Sequence, residues 1–200
     1  MIVIIDYGLG NLASITNALN KLGIKSSISG NPSVIKKAAA LILPGVGAAG
    51  EGMKNLKKKG LDKIILQEIT KGKPLLGICL GMQLLFEKSE EGNVSCLGIF
   101  KGKVKKFKKE RKIPQIGWNN VLFANKQKLF QGIPDKSFFY FVNSFYCQPQ
   151  DKSIIAGITE YGERFASIVI RNNVAGMQFH PEKSADSGLK LLKNFKEEMC

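Results

Sequence analysis

The run Lys73-Pro74-Leu75-Leu76-Gly77-Ile78-Cys79-Leu80-Gly81-Met82-Gln83 decides how the rest of the chain is read. It is an apolar strand pattern that ends on a cysteine boxed by Gly77 and Gly81. A nucleophile on the sharp turn between a buried strand and a helix is held in a strained backbone conformation, and small residues on either side are needed to avoid clashes. Gly77 and Gly81 meet that need. From Leu80 onward apolar residues recur at helical spacing, which predicts a helix over 80–88 with the thiol at its N-terminus, where the dipole and free amides favour thiolate. Taken alone, the stretch reads equally well as a buried strand cysteine before a core helix, because free cysteine is among the most buried residue types. An identifiable base would separate the two readings.

The chain contains one histidine, His180, so any imidazole chemistry happens there. It lies in Gln178-Phe179-His180-Pro181-Glu182, after an apolar strand pattern from Val174 to Phe179. Pro181 stiffens the turn, and Glu182 is placed to accept the proton on the far ring nitrogen, which would fix the tautomer and orientation as the third member of a triad. A half-buried aromatic role is the alternative for an isolated histidine. A third stretch, Leu41-Ile42-Leu43-Pro44-Gly45-Val46-Gly47, is an apolar strand opening into a glycine loop. If it lies beside the cysteine strand in a parallel sheet, its loop emerges at the same carboxyl edge, where open α/β folds build their sites. Its amides and that of Leu80 would then form an oxyanion hole, whose single donors are each worth about 3 to 4 kcal/mol in comparable enzymes. Standing alone, it is an ordinary strand-to-helix turn.

Outward from these motifs, strands near 2–5, 25–29, 40–43 and 74–78 alternate with helices near 11–22, 32–38, 51–70 and 80–88, the pattern of a parallel α/β sheet. Short β-rich runs follow, at 102–108, 119–123, 138–146, 154–159, 165–170 and 174–179. A helix over 185–196 closes the chain. No linker or repeat divides it, so one domain over 1–200 is expected. Of the four cysteines, Cys79, Cys96, Cys147 and Cys200, none shows disulfide or metal spacing, and one histidine makes a zinc site difficult to assemble. No metal or cofactor is expected, no apolar run is long enough for a membrane span or signal peptide, and a reducing cytoplasm is the natural setting.

Two further patterns carry less. Gly8-Leu9-Gly10-Asn11-Leu12-Ala13 matches a dinucleotide fingerprint, but no Asp or Glu lies between Tyr7 and Ala49 to hold a ribose. The formal net charge of +14 and the run Lys101-Gly102-Lys103-Val104-Lys105-Lys106-Phe107-Lys108-Lys109, continuing to Arg111 and Lys112, invite a nucleic-acid reading. No nucleic-acid signature accompanies the run. A solvated lysine-rich β-ribbon, or one that steers an acidic or phosphate-handling partner, accounts for it without a specific nucleic acid.

The runs PGVG, GICLGMQLLF and QFHPEKS, in this order, resemble the class I glutamine amidotransferases, a family with a Cys-His-Glu triad. Ile5 to Asn11, Gly117-Trp118-Asn119 and Tyr140-Phe141-Val142 before Ser144 are similar to the branch of that family that supplies ammonia to the cyclase forming imidazole glycerol phosphate in histidine biosynthesis. The resemblance runs from end to end and implies a flavodoxin-like mixed sheet flanked by helices, with a β-rich second half. It implies that Cys79 attacks the side-chain amide of glutamine, that His180 moves the protons and that Glu182 orients His180. It assigns Gly45, Val46, Gly47 and Leu80 to the oxyanion hole, with the glycines allowing an amide to flip between idle and active states. It gives Gln83, Ser144 and Phe145 to the amino-acid end of glutamine, and Asn11, Trp118, Tyr140 and Lys183 to the contact with a synthase subunit in a heterodimer. The chain departs from the family where histidines are common, carrying Gln115 and Asn143, and lacks a hydroxyl at Phe145. A paralogue feeding another synthase, such as one modifying surface sugars, and a non-enzymatic basic binding module are the alternatives.

Overall fold

The structure, a computed structural model, describes residues 1–108 and 112–200. Its first half alternates: β1 (Ile2–Ile5), α1 (Leu12–Lys21), β2 (Ser26–Ser29), α2 (Pro32–Lys37), β3 (Ala40–Leu43), α3 (Ala49–Lys58), α4 (Leu61–Thr70) and β4 (Leu75–Ile78). β1 pairs in parallel with β2 and β3, and β3 in parallel with β4. Every residue of β1, β3 and β4 is buried, because both faces of a parallel sheet are covered, and so their apolar runs are unbroken. The pleat sends Ile2, Ile4 and Ile42 into one core with Ile15, Leu19, Leu191 and Phe195. Val3, Ile5, Leu41 and Leu43 enter the other, with Met53, Leu56 and Ile65. The sheet is therefore the middle of three layers.

Two expected helices are corrected. The helix expected over 51–70 is two, broken where Gly60 adopts φ 66° between α3 and α4. The helix expected over 80–88 is a single turn, α5 (Leu80–Gln83), followed by β5 (Phe86–Ser89). The run Leu84-Leu85-Phe86 is wholly buried, and a short buried apolar run has the same periodicity signal as a strand or a helix. Tertiary pairing decided it: the carbonyls of Leu84, Leu85 and Phe86 accept from Leu97, Phe100 and Gly98 rather than from a next helical turn. The thiol at the start of α5 consequently meets one turn of helix, and the dipole argument for thiolate loses most of its weight.

The second half continues with β6 (Val94–Ser95), β7 (Phe100–Lys106), β8 (Gln115–Asn120), β9 (Leu122–Phe123), β10 (Phe138–Asn143), β11 (Phe145–Pro149), β12 (Ile155–Tyr161), β13 (Glu163–Arg171), β14 (Val174–Met177) and α6 (Ala185–Met199). Among the described residues one sheet of 12 strands runs through both halves in the order β2-β1-β3-β4-β14-β13-β11-β7-β5-β6, with β12 on β13 and β9 on β12. β14 returns beside β4 and parallel to it, Gly176 opposite Gly77 and Met177 opposite Ile78. This insertion delivers the segment after β14 to the same carboxyl edge as the end of β4. The strand expected over 138–146 divides at Ser144. Its first part, β10, forms a separate antiparallel ribbon with β8, and its second, β11, joins the main sheet. The expected 119–123 strand likewise divides between β8 and β9. The lysine-rich strand β7 is no free ribbon: it lies between β11 and β5. Lys109 and Arg111 of the basic run lie outside the described residues. Among the described residues no helix is long and apolar enough to cross a membrane.

Candidate active site

β4 ends at Ile78, and Cys79 turns the chain with φ 54° and ψ −112°, a backbone conformation rare for an L-residue and retained only where the surroundings enforce it. The enforcement is visible in the flanking glycines. A Cβ on Gly81 would lie 1.8 Å from the carbonyl oxygen of Leu43, and one on Gly77 would lie 2.9 Å from the backbone of Gly81. The glycine box is needed for the close approach of β3 to the turn after β4.

His180 and Glu182 reach this edge from β14. His180 Nδ1 lies 2.9 Å from Glu182 Oε1, with side-chain exposures of 5% and 1%. Glu182 Oε2 has no hydrogen-bond partner. Burial acts to lower the His180 pKa, but hydrogen bonds and charges from Cys79 and Glu182 outweigh it and push the imidazole up from 6.5 to about 10. The protonated ring is thus the form that this site favours when the sulfur is a thiolate. The backbone around the ring is pinned to β10: His180 N–H donates to the Tyr140 carbonyl at 2.9 Å. The Ser184 hydroxyl donates to the His180 carbonyl at 2.6 Å and accepts from Tyr140 N–H at 2.9 Å.

Cys79 and His180 line one cleft of about 260 Å³ together with Val46, Gly47, Leu80 and Gln83; Ser144 and Phe145 close its far side. β3 does lie beside β4, as the oxyanion expectation required. Gly45 is the exception among the loop residues. It is wedged beneath the turn, where an added Cβ would come within 2.6 Å of Leu80 Cβ and 2.8 Å of the Tyr7 hydroxyl oxygen. Its part is close packing, whereas Gly47, at φ 99° with open space around it, has the freedom a flipping peptide needs.

The residues expected to hold the amino-acid end of glutamine are present but partly committed. Gln83 Nε2 donates both to the Phe145 carbonyl and to Gln178 Oε1, each at 3.1 Å. Asn143 Nδ2 donates to the same Phe145 carbonyl at 3.0 Å, and the Ser144 carbonyl accepts from Phe107 N–H at 3.1 Å. Two of the three departures from the family pattern, Gln115 and Asn143, are directly opposed across β8 and β10, and both are buried.

Of the expected partner residues, Trp118, Tyr140 and Lys183 gather beside the histidine turn. Trp118 is 52% exposed, stands edge-on to Tyr140 across the ribbon at 6.0 Å, and with Glu182 and Lys183 lines a second depression. Ile116 and Phe138 extend the same exposed apolar surface of the ribbon. Asn11 caps α1, its side chain accepting from Ser14 N–H at 3.2 Å. Sequence reasoning missed three residues. The Tyr7 hydroxyl donates to the Pro44 carbonyl at 2.7 Å and anchors the glycine loop. Ser184 ties the histidine turn to β10. Gln178 donates through Nε2 to Cys79 Sγ at 3.8 Å. Tyr7 and Gln178 lie inside motifs already singled out, but nothing in their spacing announces a contact made across the sheet.

A parallel-stranded α/β core with a cysteine elbow, a facing histidine and its carboxylate defines a thiol-dependent acyl-transfer site. The family model for glutamine amidotransferase class I matches residues 3–199, and the chain belongs to that family. It is 49% identical over 196 residues to the imidazole glycerol phosphate synthase subunit HisH of Dehalococcoides mccartyi, covering 98% of this chain and 96% of that one. It is 48% identical to the protein of the same name from Aquifex aeolicus, covering 97% and 95%. Among solved structures, PurLQS from Thermotoga maritima matches with a TM-score of 0.79 at 20% identity, over 100% of this chain and 98% of that one, a likeness of fold.

Proposed function

We propose that this chain is the glutaminase subunit of an imidazole glycerol phosphate synthase, hydrolysing glutamine to glutamate and passing the ammonia to a cyclase subunit in histidine biosynthesis. The observation that carries the chemistry is that Cys79 and His180 line one small cleft while Glu182 holds His180 Nδ1 at 2.9 Å. The similarity over nearly the whole chain to two subunits of that name supports the pathway. The Cys79 thiolate attacks the side-chain amide carbon of glutamine, and the carbonyl electrons move to oxygen. In this reading Val46, Gly47 and Leu80, which line the cleft, supply backbone amides to that oxygen, where preorganised donors act on developing charge. Collapse breaks the C–N bond as His180 gives its proton to the leaving nitrogen, so that ammonia departs and a glutamyl thioester remains. His180, now neutral, takes a proton from water; attack of that water on the thioester and return of the proton to sulfur releases glutamate. Glu182 holds the ring through Nδ1. The cleft lies below the range of about 300–1,000 Å³ of drug-sized sites and suits a free amino acid.

Trp118, Tyr140, Lys183 and Asn11 form the face for the cyclase subunit, and the molecule works as one domain in the cytoplasm. Glutamate release is the test, with and without the cyclase subunit, comparing the native chain with Cys79→Ala. The expected result is strong stimulation by the cyclase that disappears in the variant. Activity that depends on Cys79 but ignores that cyclase would assign the chain to another synthase, and inactivity under every condition would remove the enzyme reading.

A further inference from the structure

We propose that Gln178 is a positioning residue for the nucleophile, its side-chain amide holding the Cys79 sulfur and stabilising its thiolate, with Gln83 fixing which end of that amide faces the sulfur. The inference rests on the glutaminase reading for its consequence in turnover but on geometry alone for the contact. Gln178 is completely buried, and its backbone N–H is spent on the Ser167 carbonyl at 2.9 Å. Its side chain bridges two functional residues, with Oε1 accepting from Gln83 Nε2 at 3.1 Å and Nε2 donating to Cys79 Sγ at 3.8 Å.

The orientation follows from a chain of obligate partners. The Phe145 carbonyl can only accept, so the end of Gln83 that meets it is the nitrogen. That nitrogen also meets Gln178, so the Gln178 oxygen must face it and the Gln178 nitrogen must face the sulfur. Turning either amide over would oppose two donors or two acceptors in a buried site, at a cost no neighbour offsets. Besides His180, the sulfur's polar neighbour across the cleft is the Val142 carbonyl, also at 3.8 Å, which accepts from a thiol and offers nothing to a thiolate. Gln178 therefore supplies a donor that persists when the proton has left. A neutral amide suits this task, because a second fixed cation beside His180 would stabilise the thiolate so far as to blunt its nucleophilicity.

The test is the rate of iodoacetamide alkylation of Cys79, followed on its own peptide by mass spectrometry from pH 6 to pH 10. It compares the native chain with Gln178→Met, which keeps the shape and removes the donor, and Gln178→Glu, which keeps an acceptor toward Gln83. Melting temperatures report whether each variant folds. Alkylation several-fold slower at neutral pH, with the difference closing at high pH, is the expected result. In the presence of the cyclase subunit, kcat for glutamine should fall about tenfold or more while KM stays within about twofold, the signature of an interaction made with the reacting atom. Native alkylation rates at every pH in a folded variant would overturn the proposal. Should Gln178→Met not fold, the same comparison on Gln178→Glu decides. If the native chain never hydrolyses glutamine, the glutaminase reading fails, while the alkylation profile still decides the role of Gln178.

Discussion

At the scale of single residues, the site is held by contacts that leave little tolerance. Cys79→Ala should abolish glutamate release in a chain that still folds, since in the proposed mechanism the thiol is the one group that forms the thioester. Glu182→Gln keeps the shape but removes the charge that holds the His180 Nδ1 proton, and kcat should fall by about 100-fold or more, read in a steady-state assay. His180 also gives the protein a pH dependence. Its folded pKa, pushed up to about 10, stands above the ordinary 6.5 of the unfolded chain, so its contribution to stability is whole below pH 6.5 and fades as pH rises through about 10. Urea unfolding between pH 6 and pH 10 should show this loss, and the slope should be shallower in Glu182→Gln. Gly81→Ala would drive a Cβ to 1.8 Å from the Leu43 carbonyl oxygen. Such overpacking should cost about 3 kcal/mol or more in the same unfolding assay.

Between elements, one buried ion pair ties three of them together. Lys73, at the entrance to β4, lies 2.7 Å from Glu68 on α4, and its ammonium also donates to the Ile35 and Lys36 carbonyls at the end of α2, at 2.8 and 2.7 Å. Lys73→Met would leave Glu68 buried against Lys71 alone, and the denaturation midpoint should fall by the equivalent of about 2 to 3 kcal/mol, with KM for glutamine unchanged. The elements that carry the site were legible in the chain because their signals are local. Continuous apolar runs mark β1, β3 and β4 as buried on both faces, and the glycines around Cys79 mark the turn. What was not legible depends on partners far away in sequence. The chain leaves the helix at Leu84 and Leu85 and becomes strand from Phe86 because Leu97 to Phe100 bond to this stretch, and the break at Ser144 is invisible when both sides of it are β-rich. Tyr7 reaches from the end of β1 to the loop after β3, and Gln178 meets Cys79 only once β14 has inserted beside β4. The dipole support expected for the thiol failed for the same reason, since a long helix after Cys79 was a reading of periodicity that tertiary pairing overrode.

The molecule as a whole carries a net charge of +14, and its described residues present an exposed apolar ribbon. On the proposed reading Trp118 anchors the synthase contact, and Trp118→Ala should weaken association with the cyclase subunit by about 10- to 100-fold, measured by titration calorimetry. The charge acts at longer range. At physiological ionic strength it is screened beyond about 8 Å, so raising salt from low to physiological should slow association with an acidic or phosphate-handling partner while dissociation changes little. An on-rate indifferent to salt would exclude steering. Between ribbon and nucleophile stands the His180 turn, bonded through its backbone to Tyr140 on one side and through its ring to the cleft on the other, so partner contact and chemistry share one piece of chain. The claim on which all of this depends is that glutamine is opened by the sulfur of Cys79. It is tested most directly by mixing the chain, its cyclase subunit and glutamine, quenching in acid within a turnover, and weighing the Cys79 peptide. A glutamyl increment on that peptide, absent in Cys79→Ala and removed by hydroxylamine, is the predicted result. Glutamate formed at the native rate by Cys79→Ala, or a glutamyl group found on another residue, would contradict it.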